Sequence, residues 1–361
     1  MEYRKTLNID RGEKMILGLL FSLQHLISIL IYYNKKYKFF FIVSSIMVFM
    51  IIYFLKPDTY DIPSYVAAVD YPYFEPLFSF LIILLRSFFN NRNVILVIQF
   101  LIGILTYLSI RLYIKSSKNK VNKCISLIFA FFSTAFTLGV NNGLRQYMAS
   151  LIVFIAIWFF LNNKIIYSLI IFAFAPFIHL SSSMFYFLVI FIIYFAKKRY
   201  FFKEKHPLSL LGFSLNINLV RLLFLSISIV LIILLPIIIS YTYYATYLNF
   251  NITEGRIDFT IKYLPILLIF LLSEYYFGKI KKEDYIFSQL RIVRAFFIIF
   301  MFMFIFFNTW NEMASRILSF YFTLEMFILS LSYVKGYRRG ALIINLSYAF
   351  AINAINVIGK I

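Results

Sequence analysis

The sequence predicts an all-α polytopic integral membrane protein of about 12–13 transmembrane or re-entrant helices, and three observations carry that prediction. First, 62% of the 361 residues are hydrophobic and only 14% charged, with a mean hydropathy of +0.86. A water-soluble domain of this size would present too much apolar surface to stay dispersed, so the bilayer is the solvent. Second, the apolar residues fall in long continuous runs. Backbone groups in lipid must be satisfied within the chain, and runs near twenty residues do so as helices, whereas barrel strands read as short alternating segments. Third, most Lys and Arg sit in the short connections between runs. The whole chain, 1–361, reads as a single transmembrane domain.

In chain order the runs are 15–33, 39–55, 76–89, 94–114, 124–140, 147–161 and 165–178, then 180–196, 219–240, 261–277, 295–307, 317–333 and 341–358. The first is read as a retained span, because no small-residue cleavage site follows it. Orientation comes from the connections. Residues 111–123 hold five basic side chains and no acidic one, 197–206 five against one, 279–294 five against two, and 335–339 three against none. Excess Lys and Arg marks cytoplasmic loops, so alternation puts 141–146, 178–183, 241–260 and 308–316 outside. The acidic stretch 56–75 joins them only if one early run fails to cross. Run 76–89 has fourteen residues and contains Arg86, so it reads as a re-entrant or interfacial helix.

The formal charge of +20 is therefore topogenic, and no nucleic-acid partner is implied. The 21% aromatic content suits lipid-facing surfaces and the interfacial belt of tyrosines. A single cysteine, Cys124, excludes an intrachain disulfide and a cysteine metal site. No Gly-rich phosphate loop, zinc-type histidine cluster or Gly-x-Ser-x-Gly turn occurs, which argues against ATP-driven transport and metallohydrolase chemistry. No metal or cofactor is expected.

The outer loops hold the candidate chemistry. In 56–75, Asp58, Asp61, Asp70 and Glu75 accompany Tyr60, Tyr65, Tyr71 and Tyr73; the set offers a general base and rings for apolar sugar faces, or is a solvated turn. In 141–146, Arg145 and Gln146 precede a helix start. A guanidinium there suits a phosphate oxyanion, because its fork matches the oxygens and the backbone amides add positive charge; an interfacial anchor would look similar. His179 and Ser181 lie between two runs too close for a long loop, as a catalytic imidazole or as a helix cap. Tyr243, Tyr244 and Arg256 mark the next loop, with Arg256 between Glu254 and Asp258. Glu312 and Arg316 have the i, i+4 spacing of a local ion pair. Within the spans, Glu325 needs a partner or a water-filled cavity.

Taken in order, these motifs resemble the EpsG-type, Wzy-like O-antigen and exopolysaccharide repeat-unit polymerases of bacteria. Asp58-Thr59-Tyr60-Asp61 with Ser64-Tyr65 is similar to that family's Asp-Tyr-x-x-Tyr stretch, though shifted and without its preceding Gly. Tyr73-Phe74-Glu75-Pro76-Leu77-Phe78 resembles its Glu-x-x-Phe helix opening. Asn142-Gly143-Leu144-Arg145-Gln146-Tyr147-Met148-Ala149 resembles its Asn-x-x-Arg-Gln-x-x-Ala motif, and Phe177-Ile178-His179-Leu180-Ser181-Ser182 its Phe-x-His-x-Ser-Ala motif, with Ser182 in place of Ala. The likeness covers 53–194 well; beyond it, Arg316 is similar to an arginine opening a late span.

The resemblance implies a GT-C-like helical bundle with an outward-facing cavity in the bacterial cytoplasmic (inner) membrane, acting as a glycosyltransferase without a metal. The implied substrates are undecaprenyl-diphosphate-linked oligosaccharides, one as donor and one as acceptor, with membrane lipid around them and a chain-length regulator as partner. His179, Arg145, Asp61 and Glu75 become the catalytic candidates. Arg316, Arg256, Gln146, Tyr60, Tyr65, Tyr243, Tyr244, Ser181 and Glu312 become the substrate-binding ones. An O-antigen ligase or a lipid-linked oligosaccharide flippase remains the alternative, since either would need a basic, aromatic cavity.

Overall fold

A computed structural model describes residues 62–115, 133–141, 143–182, 185–190, 208–210, 213–215, 256–277, 285–307 and 311–358, with a few single positions between them. Ten helices are named among these residues: α1 Ile62–Ala68, α2 Pro76–Arg86, α3 Asn91–Tyr113, α4 Thr134–Asn141, α5 Leu144–Leu161, α6 Ile165–Phe172, α7 Arg256–Phe277, α8 Tyr285–Phe307, α9 Asn311–Val334 and α10 Arg338–Ile358. A short antiparallel hairpin, β1 Leu208–Leu210 with β2 Phe213–Leu215, lies in a connection where the sequence suggested no element. Four helical segments are long and apolar enough to cross a bilayer: α3, α5, the 285–302 part of α8 and the 317–334 part of α9. The chain is an α-helical polytopic membrane protein, as its composition predicted.

Several elements depart from the apolar runs. Run 124–140 is not one helix: Ser133 breaks it, accepting from the Phe136 backbone N–H at 3.2 Å and so capping α4. Run 165–178 keeps its helix only to Phe172, and turns carry the chain through Pro176 to His179. In the other direction α8 begins at Tyr285, ten residues before its apolar run, and takes Arg291 and Arg294 out of the basic connection 279–294 into a helix. The outer loops also shrink, because α1 occupies part of 56–75, α7 starts at Arg256 and α9 at Asn311.

The α2 region matches the re-entrant reading. Eleven residues at about 1.5 Å each make a helix roughly 16 Å long, about half the hydrocarbon thickness. Pro76 at its first position needs no N–H partner. At its far end Arg86 pairs with Asp70 at 2.7 Å, and Asn91, the first residue of α3, donates to the same carboxylate at 2.9 Å. Residues 70–75 therefore run alongside α2 in the opposite sense, forming a hairpin with Glu75 at its tip.

The buried apolar side chains form one cluster reaching from Ile62 to Ala351. The inner part of α9 is the most enclosed of the four spanning segments. Phe327 packs against Tyr113 of α3 and Phe154 of α5, with ring centres 4.7 and 4.8 Å away, while Glu325 faces α8. Ridge-into-groove contacts on several sides fix such a helix in both rotation and height.

Candidate functional site

Three residues from separate segments meet at the tip of the α2 hairpin. Glu75 caps α2, Arg145 lies in the first turn of α5, and His179 ends the turn after α6. Arg145 donates from Nη1 to Glu75 Oε2. His179 Nδ1 lies 2.9 Å from Glu75 Oε1, and the Leu180 backbone N–H reaches the same oxygen at 3.4 Å. Both carboxylate oxygens are thus occupied by donors from different elements.

The backbone explains the convergence. Leu77 N–H donates to Phe177 O at 2.9 Å, tying the start of α2 to the turn before His179. Gly143 adopts φ +112 at the start of α5, a left-handed conformation that suits glycine, so α4 reverses into α5 within a few residues and presents Arg145 there. Gly139 of α4 lies flat against the Tyr147 ring, and any side chain at that position would overlap it.

Depth follows from α3. Gln99, eight residues beyond Asn91, donates to Val140 O, and Thr106, fifteen beyond, meets the Tyr147 hydroxyl. At about 1.5 Å per residue the α4–α5 reversal lies roughly 12–22 Å along α3 from Asn91. The length of α2 puts Glu75 at a similar distance. The cluster is therefore well within the thickness of the protein, yet the side chains of Arg145 and Glu75 remain 26% and 19% exposed, so the helices leave an opening beside them.

Further residues shape the cluster. Arg145 stacks over the Phe74 ring at 4.5 Å, and its Nε–H points at the Tyr65 hydroxyl at 3.5 Å. Tyr65 and Phe78 flank Phe74 in turn, with ring centres 5.5 Å from it. Burial acts to raise the Glu75 carboxyl, but the His179 hydrogen bond and the Arg145 charge outweigh it and hold it down at about 2. Glu75 is therefore an anion that only accepts, which makes His179 Nδ1 the donor of that hydrogen bond.

Of the other predicted residues, Tyr65 lies with its hydroxyl toward Arg145. It is buried in α1 and packs against Phe74 beneath the guanidinium. Gln146 is half-buried beside Arg145, and its carbonyl accepts from Ser150 at 2.6 Å. Ser181 opens the helical backbone after His179, and neither its hydroxyl nor that of buried Ser182 has a partner among the described residues. Arg256 starts α7, and Glu312 and Arg316 lie in the first turns of α9, but only their backbone is described. Asp61, Tyr60, Tyr243 and Tyr244 lie outside the described residues. Asp70, a base candidate by composition, fastens the hairpin to Arg86 and Asn91. Phe74 went unassigned in the sequence, although its place beside Glu75 in a quoted motif was a signal.

Fold and site together define a polytopic helical membrane protein with a charged, partly open centre at the tip of the α2 hairpin. The model of the EpsG family matches residues 37–360, and the chain belongs to that family, which points to a polysaccharide-polymerase-type role. No curated protein and no solved structure matches it.

Proposed function

We infer that this protein joins undecaprenyl-diphosphate-linked oligosaccharide repeat units into O-antigen or exopolysaccharide at the outer face of the bacterial cytoplasmic membrane. The observation that carries this reading is the meeting of Glu75, Arg145 and His179, distant in sequence, at one partly open point. Charges at this depth are tolerated where they pair and where water reaches them.

In the proposed reaction an acceptor sugar hydroxyl attacks the anomeric carbon of the donor. A new carbon–oxygen bond forms while the bond to diphosphate breaks, and its electron pair leaves on undecaprenyl diphosphate. The hydroxyl proton passes to His179 Nε2, with Glu75 holding the ring at Nδ1. Arg145 meets the charge developing on the departing oxygens, which is where fixed positive charge lowers the barrier most. Arg316, Arg256 and the tyrosines of 241–260 would extend the substrate surface.

The test is complementation of bacteria lacking their own polymerase, read as lipopolysaccharide ladders at matched membrane expression. Wild type is expected to restore a ladder, and Arg145→Ala to reduce polymerisation by about 10²–10³-fold, leaving a single repeat unit. Attachment or export of preformed chains without a ladder would replace this reading with the ligase or the flippase.

A further inference from the structure

We propose that Glu75 is an internal counter-anion that the donor's diphosphate displaces from Arg145, so that Glu75 couples occupation of the leaving-group site to the orientation of His179. The inference rests on the reading that a lipid diphosphate binds at Arg145, and goes beyond it by giving Glu75 a role other than that of a base.

The geometry supports the exchange. Glu75 divides its two oxygens between its partners: Oε2 accepts from Arg145, and Oε1 takes His179 Nδ1 and the Leu180 N–H. A phosphate oxygen that takes Nη1 of Arg145 needs to vacate only Oε2. The Oε1 contacts serve as a pivot, so a rotation of the Glu75 side chain that carries Oε2 off Nη1 suffices and no backbone movement is required. The guanidinium is held as well, by the Phe74 ring at 4.5 Å and the Tyr65 hydroxyl at 3.5 Å. Its position is therefore the same before and after exchange.

The charges facing Glu75 are Arg145 from α5 and His179 from the turn after α6, with the neutral Tyr65 of α1 behind the arginine. Before the donor binds, the carboxylate charge is shared between the arginine and the histidine. Once diphosphate occupies the arginine, that charge is directed at His179 alone, where it stabilises the imidazolium formed as the acceptor hydroxyl loses its proton. Competition between Glu75 and diphosphate for one guanidinium also weakens binding in the resting site. Removing the competing charge should therefore tighten binding while removing the support for the histidine, a split that a merely structural glutamate would not produce.

The experiment uses the full-length protein in lipid nanodiscs, with undecaprenyl diphosphate as probe and undecaprenol as the uncharged control. Wild type and Glu75→Gln are compared after both elute as single species. Glu75→Gln is expected to bind undecaprenyl diphosphate about ten-fold more tightly with undecaprenol binding unchanged, and in turnover assays to lower both KM for the donor and kcat. Equal or weaker diphosphate binding by Glu75→Gln overturns the proposal. If that variant does not elute cleanly, Glu75→Asp, too short to span both partners, is judged by the same two criteria. The ladder made by wild type tests the polymerase reading separately, so a wild-type protein that polymerises while Glu75→Gln fails to bind more tightly sinks the exchange alone.

Discussion

Two Arg–Glu assemblies in this protein use the same chemistry for different ends. At the tip of the α2 hairpin, Arg145 and Glu75 meet at helix ends and stay partly exposed. In the second half, Arg294 is fully buried in α8, paired with Glu325 of α9 at 2.5 Å and with Glu274 of α7 at 2.9 Å, while Arg291 holds the other oxygen of Glu274 at 2.7 Å. The rings of Phe270 and Phe277 close over the Arg294 guanidinium at 4.9 and 5.2 Å. Access separates the two. Arg145–Glu75, partly open, can exchange its counter-ion for a ligand, whereas Arg294–Glu325, 0% and 2% exposed beneath the rings, serves to fix α8 against α9; Glu274, at the edge of that network, is 28% exposed.

The largest expected effect is at the sealed pair. Arg294→Ala leaves Glu325 buried without its counter-charge and should cost about 3–5 kcal/mol of stability, seen as a steep fall in the thermal midpoint of the purified protein in detergent. Replacing both partners by apolar groups, Arg294→Met with Glu325→Leu, should recover most of that loss, because no charge is then stranded. A double variant as unstable as the single would break the comparison, since it would give the inner pair a role beyond joining helices. Arg145→Ala should do the reverse, abolishing the ladder with a smaller fall in melting than Arg294→Ala causes.

A smaller effect is expected at Phe74. Loss of a ring beneath a guanidinium costs on the order of 1 kcal/mol at a partly exposed site, so Phe74→Leu should lower the polymerisation rate by roughly five- to ten-fold, and Phe74→Tyr should retain it. Equal rates in Phe74→Leu and wild type would show that Tyr65 and Glu75 suffice to orient Arg145.

The two assemblies were not equally legible in the sequence. Arg145 and His179 stood out once the ordered motifs were set beside the family's, since an interfacial anchor or a helix cap would explain either residue taken alone. Glu325 stood out because hydrocarbon does not tolerate an isolated charge. Their partners did not. Glu75 contacts residues 70 and 104 positions away, and spacing along a chain reports only neighbours within a few turns. Arg294 was assigned to a basic loop because the apolar run begins just after it, although the helix starts at Tyr285. Charge counting cannot separate a topogenic arginine from one buried in a network, since both sit near the end of an apolar run. The break at Ser133 was hidden for the related reason that a serine inside an apolar run caps a helix only when the backbone around it turns.

A further effect concerns acid, and its sign follows from the direction in which Glu75 is shifted. Its carboxyl is held at about 2, below an ordinary value of 4.5, so its contribution to stability is fully present above about pH 4.5 and declines as pH falls toward 2. The difference in thermal midpoint between wild type and Glu75→Gln should therefore shrink below about pH 4.5, as a linkage on the order of 3 kcal/mol is withdrawn, and any change between about pH 8 and 5.5 belongs to His179, which faces an anion in wild type and a neutral amide in the variant. Comparing the two proteins cancels acid effects common to both. A difference that stays constant below about pH 4.5 would mean that Arg145 and His179 do not hold the carboxylate ionised, and the contrast between an exchangeable outer pair and a sealed inner one would lose its outer member. A constant difference to pH 5.5 would in turn assign any loss of polymerisation between neutrality and that pH to a group other than Glu75.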